Sequence, residues 1–190
     1  MILGLCGLKQ SGKDTIAAYL VKNHGFERKA FADPLKRSVA ALFGLRFQDI
    51  DKLKMDEDVQ VMVTKYGEPR ISMSMRVLLQ RYGTEAHRDV FGNCFWVDLT
   101  LPVQGFYPGR AIVVTDVRFR EEAERVKFLG GRIIYVQRDE AALVNKDQHR
   151  SEDIDFANLI DGSISNNGTL EELYDAVEIL IATSPLETVC

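Results

Sequence analysis

A glycine-bounded loop near the start of the chain limits its fold more than any other feature of the sequence. The run G-L-K-Q-S-G-K at residues 7–13 matches the pattern GxxxxGK. The apolar run at residues 2–6 is typical of a strand buried on both faces, and apolar residues recur at helical spacing over residues 15–22 until Gly25 ends the helix. In a strand, loop and helix of this order, backbone N–H groups and the positive end of the helix dipole can hold phosphate groups. We therefore expect a phosphate-binding loop here.

Two positions of this loop carry its expected chemistry. Lys13 is expected to bridge the β and γ phosphates of a nucleotide. The next position, where a serine or threonine usually ligates magnesium, holds Asp14, and Thr15 follows it. Asp14 could hold magnesium directly or through water, or it could merely favour the helix dipole. The alternative to a phosphate loop is an ordinary glycine turn, which the strand and helix on either side disfavour.

The rest of the chain alternates between apolar runs and helical periodicity. Residues 111–115 and 132–136 are predicted to be buried strands, with a helix at residues 121–129 between them. Further strands are predicted at residues 26–31 and 162–165, and further helices at residues 35–43, 75–82, 85–90 and 170–181. The pattern predicts an α/β fold with a central parallel sheet of about five strands flanked by helices.

Local signals predict how some helices begin and what lies between them. Asp33 before Pro34 is typical of an N-cap, and Thr169 with Glu172 is typical of a capping box. Residues 45–74 are polar and predict an exposed, partly helical insertion, whereas residues 96–103 are ambiguous. Residues 138–155 are densely charged, as expected of a lid-like surface loop. Since no linker or repeat divides the chain, we expect one domain over residues 1–190.

Composition and charge exclude several classes of protein. Hydrophobic residues make up 46% of the 190 residues and charged residues 27%, as in ordinary globular proteins. The formal net charge of −4 has the wrong sign for a dedicated nucleic-acid coat. Cys6, Cys94 and Cys190 form no CxxC pair, and the sequence has no signal-peptide core and no run of about 20 apolar residues. We therefore expect a cytoplasmic protein with no stable nucleic-acid partner and no membrane partner.

Charged residues after the predicted strands could complete a phosphoryl-transfer site. Asp116 directly follows the buried run A-I-V-V-T and is a candidate for the magnesium shell or for a substrate contact. The alternative is that Asp116 caps the helix predicted at residues 121–129. Arginines that could stabilise a transferring phosphoryl group are Arg76, Arg88, Arg118, Arg120, Arg138 and Arg150. For any one of them alone, a solvated surface residue is the alternative.

Several motifs occur along the chain in a definite order. They are G-L-K-Q-S-G-K-D-T at residues 7–15, R-V-L-L-Q-R-Y-G-T-E-A-H-R at 76–88, F-W-V-D at 95–98, T-D-V-R-F at 115–119, V-Q-R-D at 136–139, H-R-S-E at 149–152 and N-N-G-T-L-E-E-L at 166–173. Their order and spacing resemble the deoxynucleoside monophosphate kinases of tailed bacteriophages, and the resemblance includes the aspartate at position 14. It implies a P-loop nucleotide kinase fold in which residues 45–110 form a monophosphate-binding insertion and residues 138–155 form a lid.

The resemblance also implies a reaction and its site residues. An ATP-dependent, Mg²⁺-requiring enzyme would transfer the γ-phosphoryl group to the 5′-phosphate of a deoxynucleoside monophosphate. The residues implied on the ATP side are Gln10, Ser11, Gly12, Lys13, Asp14, Thr15, Asn166 and Asn167. The residues that we assign to the monophosphate side are Lys9, Arg76, Gln80, Arg88, Trp96, Asp98 and Asp116. Lys13, Arg118 and Arg138 would be catalytic, and Asp14 would hold the magnesium ion, directly or through water.

Two other functions stay open on the sequence. Related loops occur in other small-molecule P-loop kinases, such as dephospho-coenzyme A kinases and phosphomevalonate kinases. A nucleotide-binding switch or ATPase module would hydrolyse ATP without a small acceptor. The expected partners are ATP and deoxynucleoside monophosphates, and the apolar and aromatic residues between Phe91 and Tyr107 could form a homodimer interface.

Overall fold

Helices and strands are interspersed along the chain. The computed structural model describes residues 1–56, 58, 60–63, 71–104, 109–139 and 155–183. In chain order, the elements are β1 (Ile2–Cys6), α1 (Lys13–His24), β2 (Glu27–Lys29), α2 (Ala32–Leu42), α3 (Ile50–Met55), β3 (Gln60–Val63), β4 (Ile71–Ser74), α4 (Met75–Gly83), α5 (Asp89–Phe91), α6 (Phe95–Thr100), β5 (Ile112–Val114), α7 (Arg120–Phe128), β6 (Arg132–Gln137), β7 (Gly162–Ser165) and α8 (Leu170–Ala182). Residue contacts divide the chain into two compact units, one of Met1–Phe31 with Thr100–Cys190 and one of Ala32–Leu99.

The first unit contains a parallel β-sheet. Among the described residues its strand order is β2-β5-β1-β6-β7, and every neighbouring pair is parallel. All of β1, in the middle of the sheet, is buried, as its uninterrupted apolar run predicts. The predicted α/β fold with a central parallel sheet of about five strands is therefore confirmed. The carboxyl ends of parallel strands meet at one edge, where ligands of such sheets bind, and the glycine loop follows β1 at that edge.

Helices cover both faces of this sheet. On one face, Leu5 of β1 belongs to a buried cluster with Leu20 of α1 and Val177 of α8. Successive side chains of a strand point to opposite faces, so Gly4 faces the other side. There, a Cβ at Gly4 would lie 3.4 Å from Val126 of α7. The sheet is thus enclosed between α1 and α8 on one face and α7 on the other.

Polar contacts also join α1 to α8. Glu178 Oε1 accepts a hydrogen bond from the Tyr19 hydroxyl at 2.5 Å and lies 2.7 Å from His24 Nε2. The Tyr19 ring stacks on Tyr174 with ring centroids 4.1 Å apart. The Tyr19 hydroxyl, and to a smaller degree His24, lower the pKa of the Glu178 carboxyl, and the same hydrogen bond raises the pKa of Tyr19. These contacts hold α8, and the turn that precedes it, beside the helix that follows the glycine loop.

The second unit has a small core of its own. One buried cluster contains Val39 of α2, Ile50 of α3 and Val61 of β3, and α4 also contributes to it. β3 and β4 pair antiparallel. α4 begins after Ser74, whose Oγ accepts a hydrogen bond from the backbone N–H of Val77 at 3.4 Å. This cap explains why the helix of the R-V-L-L-Q-R-Y-G motif begins where it does.

Some elements differ from the sequence predictions. α2 begins at Ala32, so Asp33 lies in its first turn, and the prediction that Asp33 is the N-cap is wrong. A carboxylate is also favoured in the first turn by the helix dipole, which is why the local signal misplaced the boundary by about two residues. Residues 45–74, predicted as an exposed and partly helical insertion, contain α3 but also the β3–β4 pair. The ambiguous residues 96–103 include most of α6.

The domain boundaries stay predictions. We expected a monophosphate-binding insertion over residues 45–110 within a single domain, whereas the contacts begin the second unit at Ala32 and end it at Leu99. Within the described ranges, no helix has both the length and the apolar character needed to cross a membrane.

Candidate active site

The loop between β1 and α1 is shaped by residues with positive φ. Gly7, Gln10 and Gly12 have φ angles of +131°, +67° and +106°. Glycine adopts such angles freely, but a glutamine in this region is uncommon and needs a surrounding structure that holds it there. Inside the loop, Ser11 N donates a hydrogen bond to Leu8 O at 3.2 Å. The chain therefore curls tightly directly before the first turn of α1.

The Lys13 side chain folds back into this loop. Its Nζ donates to Gly7 O at 2.8 Å, to Leu8 O at 2.6 Å and to Ser11 Oγ at 3.3 Å. Ser11 is almost fully buried, with 1% of its surface exposed. A positive charge therefore lies at the N-terminus of α1, where the helix dipole is also positive. This combination of charge and backbone N–H groups suits a bound phosphate.

The turn between β7 and α8 lies against the loop. The side-chain Nδ2 of Asn166 donates to Ser11 O at 2.8 Å, and the Asn166 backbone N–H donates to Gln137 O at 2.8 Å. Asn167 pairs with Asp139: its Oδ1 accepts from Asp139 N and its Nδ2 donates to Asp139 Oδ2, both at 2.9 Å. The end of β6, the end of β7 and the glycine loop are therefore connected by side-chain amides.

A cavity of about 680 Å³ opens beside the loop. Its lining residues are Gln10, Gly12, Lys13, Asp14, Thr15, Arg138, Asp139, Asn166, Asn167, Gly168, Leu170 and Leu173. The structure thus brings together all but one of the residues expected on the ATP side. The exception, Ser11, is buried, and its carbonyl and hydroxyl accept the hydrogen bonds from Asn166 and Lys13 described above.

Sequence reasoning missed part of this lining. Asp139 ends the motif V-Q-R-D that suggested Arg138, so its position two residues after a strand was a usable signal. Leu170 and Leu173 are apolar residues in the first turn of α8, and only the fold shows that this turn borders the cavity.

The first-unit site residues follow the carboxyl ends of neighbouring parallel strands. The loop with Lys13 follows β1, Asp116 follows β5, Arg138 follows β6 and Asn166 follows β7. Because these strands are adjacent in the sheet, four segments that are distant in sequence share one edge. This convergence is the main structural support for a ligand site here.

Asp116 has a defined structural contact. Its Oδ1 accepts a hydrogen bond from the backbone N–H of Phe31 at 2.7 Å, which connects the segments that follow β5 and β2. The start of α7 is instead capped by Glu122, whose buried carboxylate accepts from Arg118 N at 2.8 Å and Phe119 N at 3.2 Å. The exposed side chain of Arg118 lies just before α7.

The oxygen atoms near the loop can bind magnesium as part of a complex with a nucleotide. In the part of the chain that the structure describes, no group of three or more His, Cys, Asp or Glu side chains could cage a metal ion. Mg²⁺ is commonly held by one or two protein oxygens together with substrate phosphates and waters. Asp14, exposed in the first turn of α1, and Thr15 offer hard oxygen ligands on the wall of the cavity. The residues present therefore fit magnesium bound together with a nucleotide.

The residues expected on the monophosphate side fall into both units. Lys9 and Asp116 belong to the first unit. The others lie in the second unit, on α4, on the π-helical turn Thr84–Arg88 and on α6. These residues are Arg76, Gln80, Arg88, Trp96 and Asp98.

Trp96 is part of the core of the second unit. It is 4% exposed, and its Nε1 donates to Gly83 O at 3.0 Å. The His87 ring lies 4.9 Å from the Trp96 ring and 5.1 Å from the Phe95 ring, centroid to centroid. Arg76 and Asp98, by contrast, are exposed.

The lid prediction falls largely outside the described residues. Of residues 138–155, the structure describes Arg138, Asp139 and Asp155, and residues 140–154 lie outside the described part of the chain.

Cys6, the residue before the loop, is expected to be chemically inert. It is fully buried, its Sγ donates to Ile134 O at 3.6 Å, and burial raises its pKa to about 12 despite the opposing effect of Lys13. Since the thiolate is the reactive form, iodoacetamide at about pH 8 should label the exposed Cys94 and leave Cys6 unlabelled until urea unfolds the protein. Mass spectrometry of tryptic peptides measures both sites, and equal labelling rates in the folded protein would contradict this picture.

Comparisons with known proteins identify the family of this chain. A family model described as deoxynucleotide monophosphate kinase matches residues 45–177. A protein of Acanthamoeba polyphaga mimivirus that carries the same family name is 31% identical over 193 residues, which cover 93% of this chain and 94% of that protein. The deoxynucleotide monophosphate kinase of Escherichia phage RB69 is 32% identical over 114 residues, which cover 57% of this chain and 45% of that protein.

Solved structures give weaker matches. A dephospho-CoA kinase from Campylobacter jejuni has a TM-score of 0.47 at 13% identity, with 95% of each chain covered. A shikimate kinase from Bacteroides thetaiotaomicron has a TM-score of 0.43 at 11% identity, with 96% of this chain and 97% of that chain covered. Likenesses of this size carry no weight for function, whereas the sequence matches cover most of the chain. On those matches, the chain belongs to the deoxynucleotide monophosphate kinase family.

Proposed function

We propose that this chain transfers the γ-phosphoryl group of ATP to the 5′-phosphate of a deoxynucleoside monophosphate, with ADP and a deoxynucleoside diphosphate as products. The observation that carries the proposal is the loop of residues 7–13, where Lys13 Nζ lies among loop oxygens at the ligand-binding edge of a parallel sheet. The acceptor is proposed from the family to which the chain belongs, since that family is named for deoxynucleotide monophosphates.

The cavity beside the loop is the proposed ATP site. Its volume of about 680 Å³ falls in the range of small-molecule pockets. The loop N–H groups and Lys13 would take the phosphates, because they lie at the positive end of α1. The turn that contains Asn166 and Asn167 also lines the cavity, and we assign the nucleoside of ATP to the part of the cavity next to this turn.

Phosphoryl transfer requires mainly positive charge and correct alignment of the two substrates. In phosphoryl transfer, negative charge spreads over the oxygens of the moving group, and cations stabilise it more than a nucleophilic side chain could. Lys13 and Arg138 line the cavity, and Arg118 follows β5 at the same edge of the sheet. We assign these three residues to the transferring group, with residues 138–155 as a lid that excludes water, the competing acceptor.

Magnesium belongs to the same proposal. Asp14 would hold Mg²⁺, directly or by way of water, and the ion would neutralise part of the negative charge of the nucleotide phosphates. The chain's own contribution is the carboxylate in the first turn of α1 and the Thr15 hydroxyl beside it, which can donate to a phosphate oxygen.

The acceptor is proposed to bind through the residues assigned to the monophosphate side. Guanidinium groups hold phosphates through two parallel hydrogen bonds, so Arg76 and Arg88 are assigned to the 5′-phosphate. Lys9 faces the acceptor phosphate from the loop, and Gln80, Asp98 and Asp116 supply polar contacts to the nucleotide. Because Trp96 is buried, its contribution is to shape the floor of the nucleoside pocket.

Arg88→Ala should weaken monophosphate binding selectively. We expect KM for the monophosphate to rise about 10- to 100-fold, as for the loss of a hydrogen bond between charged groups, with KM for ATP changed less than about twofold. Steady-state kinetics with each substrate varied in turn measures both constants. Arg81→Ala is the matched control, since Arg81 is an exposed arginine of α4 that lies 3.5 Å from Glu85. A change confined to KM for ATP would refute the assignment.

The organisation of the protein completes the proposal. We assign residues 45–110 to monophosphate binding within one kinase domain over residues 1–190, acting in the cytoplasm, that of the host if the chain is phage-encoded. Exposed apolar side chains at Val90, Phe91 and Leu99 support a homodimer through this part of the second unit. Sedimentation velocity tests the oligomeric state.

A panel of acceptors tests the proposed function. ADP formation from ATP is measured with each deoxynucleoside monophosphate in turn, with the ribonucleotides, with dephospho-coenzyme A and with no acceptor. Turnover with at least one deoxynucleoside monophosphate, well above the rate without acceptor, is the expected result. Turnover with dephospho-coenzyme A alone would indicate another small-molecule kinase, and an equal rate without acceptor would indicate an ATPase.

A further inference from the structure

The peptide group between Ser11 and Gly12 is held from outside the glycine loop. Its carbonyl oxygen accepts the hydrogen bond from Asn166 Nδ2 at 2.8 Å. Asn166 is itself fixed, because its backbone N–H donates to Gln137 O and thereby extends the pairing of β6 with β7. The sheet edge and the loop are therefore connected through this side-chain amide.

This contact sets the direction of the peptide. In a planar trans peptide the C=O and N–H groups point in opposite directions, so a Ser11 carbonyl held toward Asn166 turns the Gly12 N–H away from it. Gly12 has a φ of +106°, and glycine also adopts negative φ without strain. A flip of this peptide therefore costs little free energy unless a contact from outside the loop opposes it. A flipped peptide would present an oxygen where a phosphate requires an N–H donor.

The Asn166 amide also occupies the space beside Gly12. A Cβ built on Gly12 would overlap Asn166 Nδ2. The amide therefore packs directly on the same peptide whose carbonyl it binds, and residue 12 must be glycine for this packing as well as for its φ.

We propose that Asn166 is a positioning residue that locks the Ser11–Gly12 peptide in its phosphate-binding orientation, rather than a contact of the adenine ring. This inference rests on the proposed function, since it takes the phosphates of ATP to bind in the loop. Asn167, the next residue, makes a different kind of contact, because both of its amide atoms bond to Asp139.

Tripolyphosphate separates the two roles, because it carries the phosphates of ATP without a base. Its affinity and that of ATP are measured by competition against a fluorescent ATP analogue. We expect Asn166→Ala to weaken both ligands by the same factor, about tenfold. We also expect kcat to fall, because a misdirected loop misaligns the γ phosphate, while KM for the monophosphate changes less than about twofold.

Two further variants sharpen the comparison. Asn166→Asp has the same shape but places an oxygen against the Ser11 carbonyl, so it should weaken both ligands more than Asn166→Ala. Asn23→Ala removes a similar amide-to-carbonyl bond, from Asn23 Nδ2 to Tyr19 O at 3.1 Å, on the exposed side of α1, and should change neither affinity. If Asn166→Ala is unfolded at the assay temperature, Asn166→Ser supplies the same comparison.

The outcomes distinguish this inference from the proposed function. A loss confined to ATP would show a base contact, and no loss for either ligand would show no role, so both overturn the inference. Wild-type turnover of ATP without inhibition by tripolyphosphate also overturns it, because the loop would then not be held ready for phosphates. Wild-type protein that neither turns over nor binds ATP would overturn the proposed function instead.

Discussion

Lys13→Ala is expected to lower kcat by about 10³-fold or more while leaving the protein folded. The ammonium lies among the loop oxygens, 2.6 to 3.3 Å from three of them, where it meets the charge that develops on the transferring phosphoryl group. Removal of one such preorganised donor commonly costs about 10²- to 10³-fold, and here a full charge is lost as well. Steady-state ADP formation at saturating substrates measures the effect.

Lys22→Ala is the control for this prediction. Lys22 is an exposed lysine in the last turn of the same helix, so its loss should leave kcat unchanged. Urea unfolding should show that Lys13→Ala is within about 1 kcal/mol of wild type, because the Gly7 and Leu8 carbonyls that it contacts are only partly buried and water can replace the ammonium. If kcat of Lys13→Ala is within about threefold of the wild-type value, the loop has no role in catalysis.

Gly7→Ala is expected to destabilise the fold strongly. Gly7 has a φ of +131°, and a Cβ there would overlap the backbone carbonyl oxygen of Val136 in β6. The strained backbone and the clash with a central strand together should cost about 3–5 kcal/mol. Urea unfolding followed by circular dichroism measures the change in unfolding free energy.

Gly25→Ala provides the matched comparison. Gly25 follows α1 with a φ of +67°, but a Cβ there would meet no atom within 4 Å. Its substitution should therefore cost only about 1–2 kcal/mol, from the left-handed backbone alone. Equal costs at the two glycines would show that the loop does not pack on β6 as described.

The sequence was sufficient to predict the sheet and the loop, because both depend on local pattern. Buried parallel strands are short uninterrupted apolar runs, and the phosphate loop has fixed glycine and lysine spacing. The helix after the loop begins at Lys13, two residues before the prediction of residue 15, because Gly12 already ends the loop. The antiparallel pair of β3 and β4 was missed, since these strands pair only with each other and Val61 is their one buried residue in the described part.

The contacts that organise the site could not be predicted in the same way. Asn166 and Ser11 are 155 positions apart, and no periodicity connects them. Trp96 was assigned to the monophosphate side on resemblance alone, and its burial with a hydrogen bond to Gly83 O depends on how the second unit packs. Asp116 follows its strand as predicted, but its bond to the backbone of Phe31 depends on the pairing of β2 with β5.

A crystal structure with a non-hydrolysable ATP analogue and Mg²⁺ tests the central claim most directly. The account predicts the β phosphate inside the loop of residues 7–13, with Lys13 Nζ moved from Gly7 O and Leu8 O onto the β and γ phosphate oxygens. It also predicts that the Asn166 bond to Ser11 O is retained. A triphosphate bound elsewhere, with the loop and Lys13 as they are here, would contradict it.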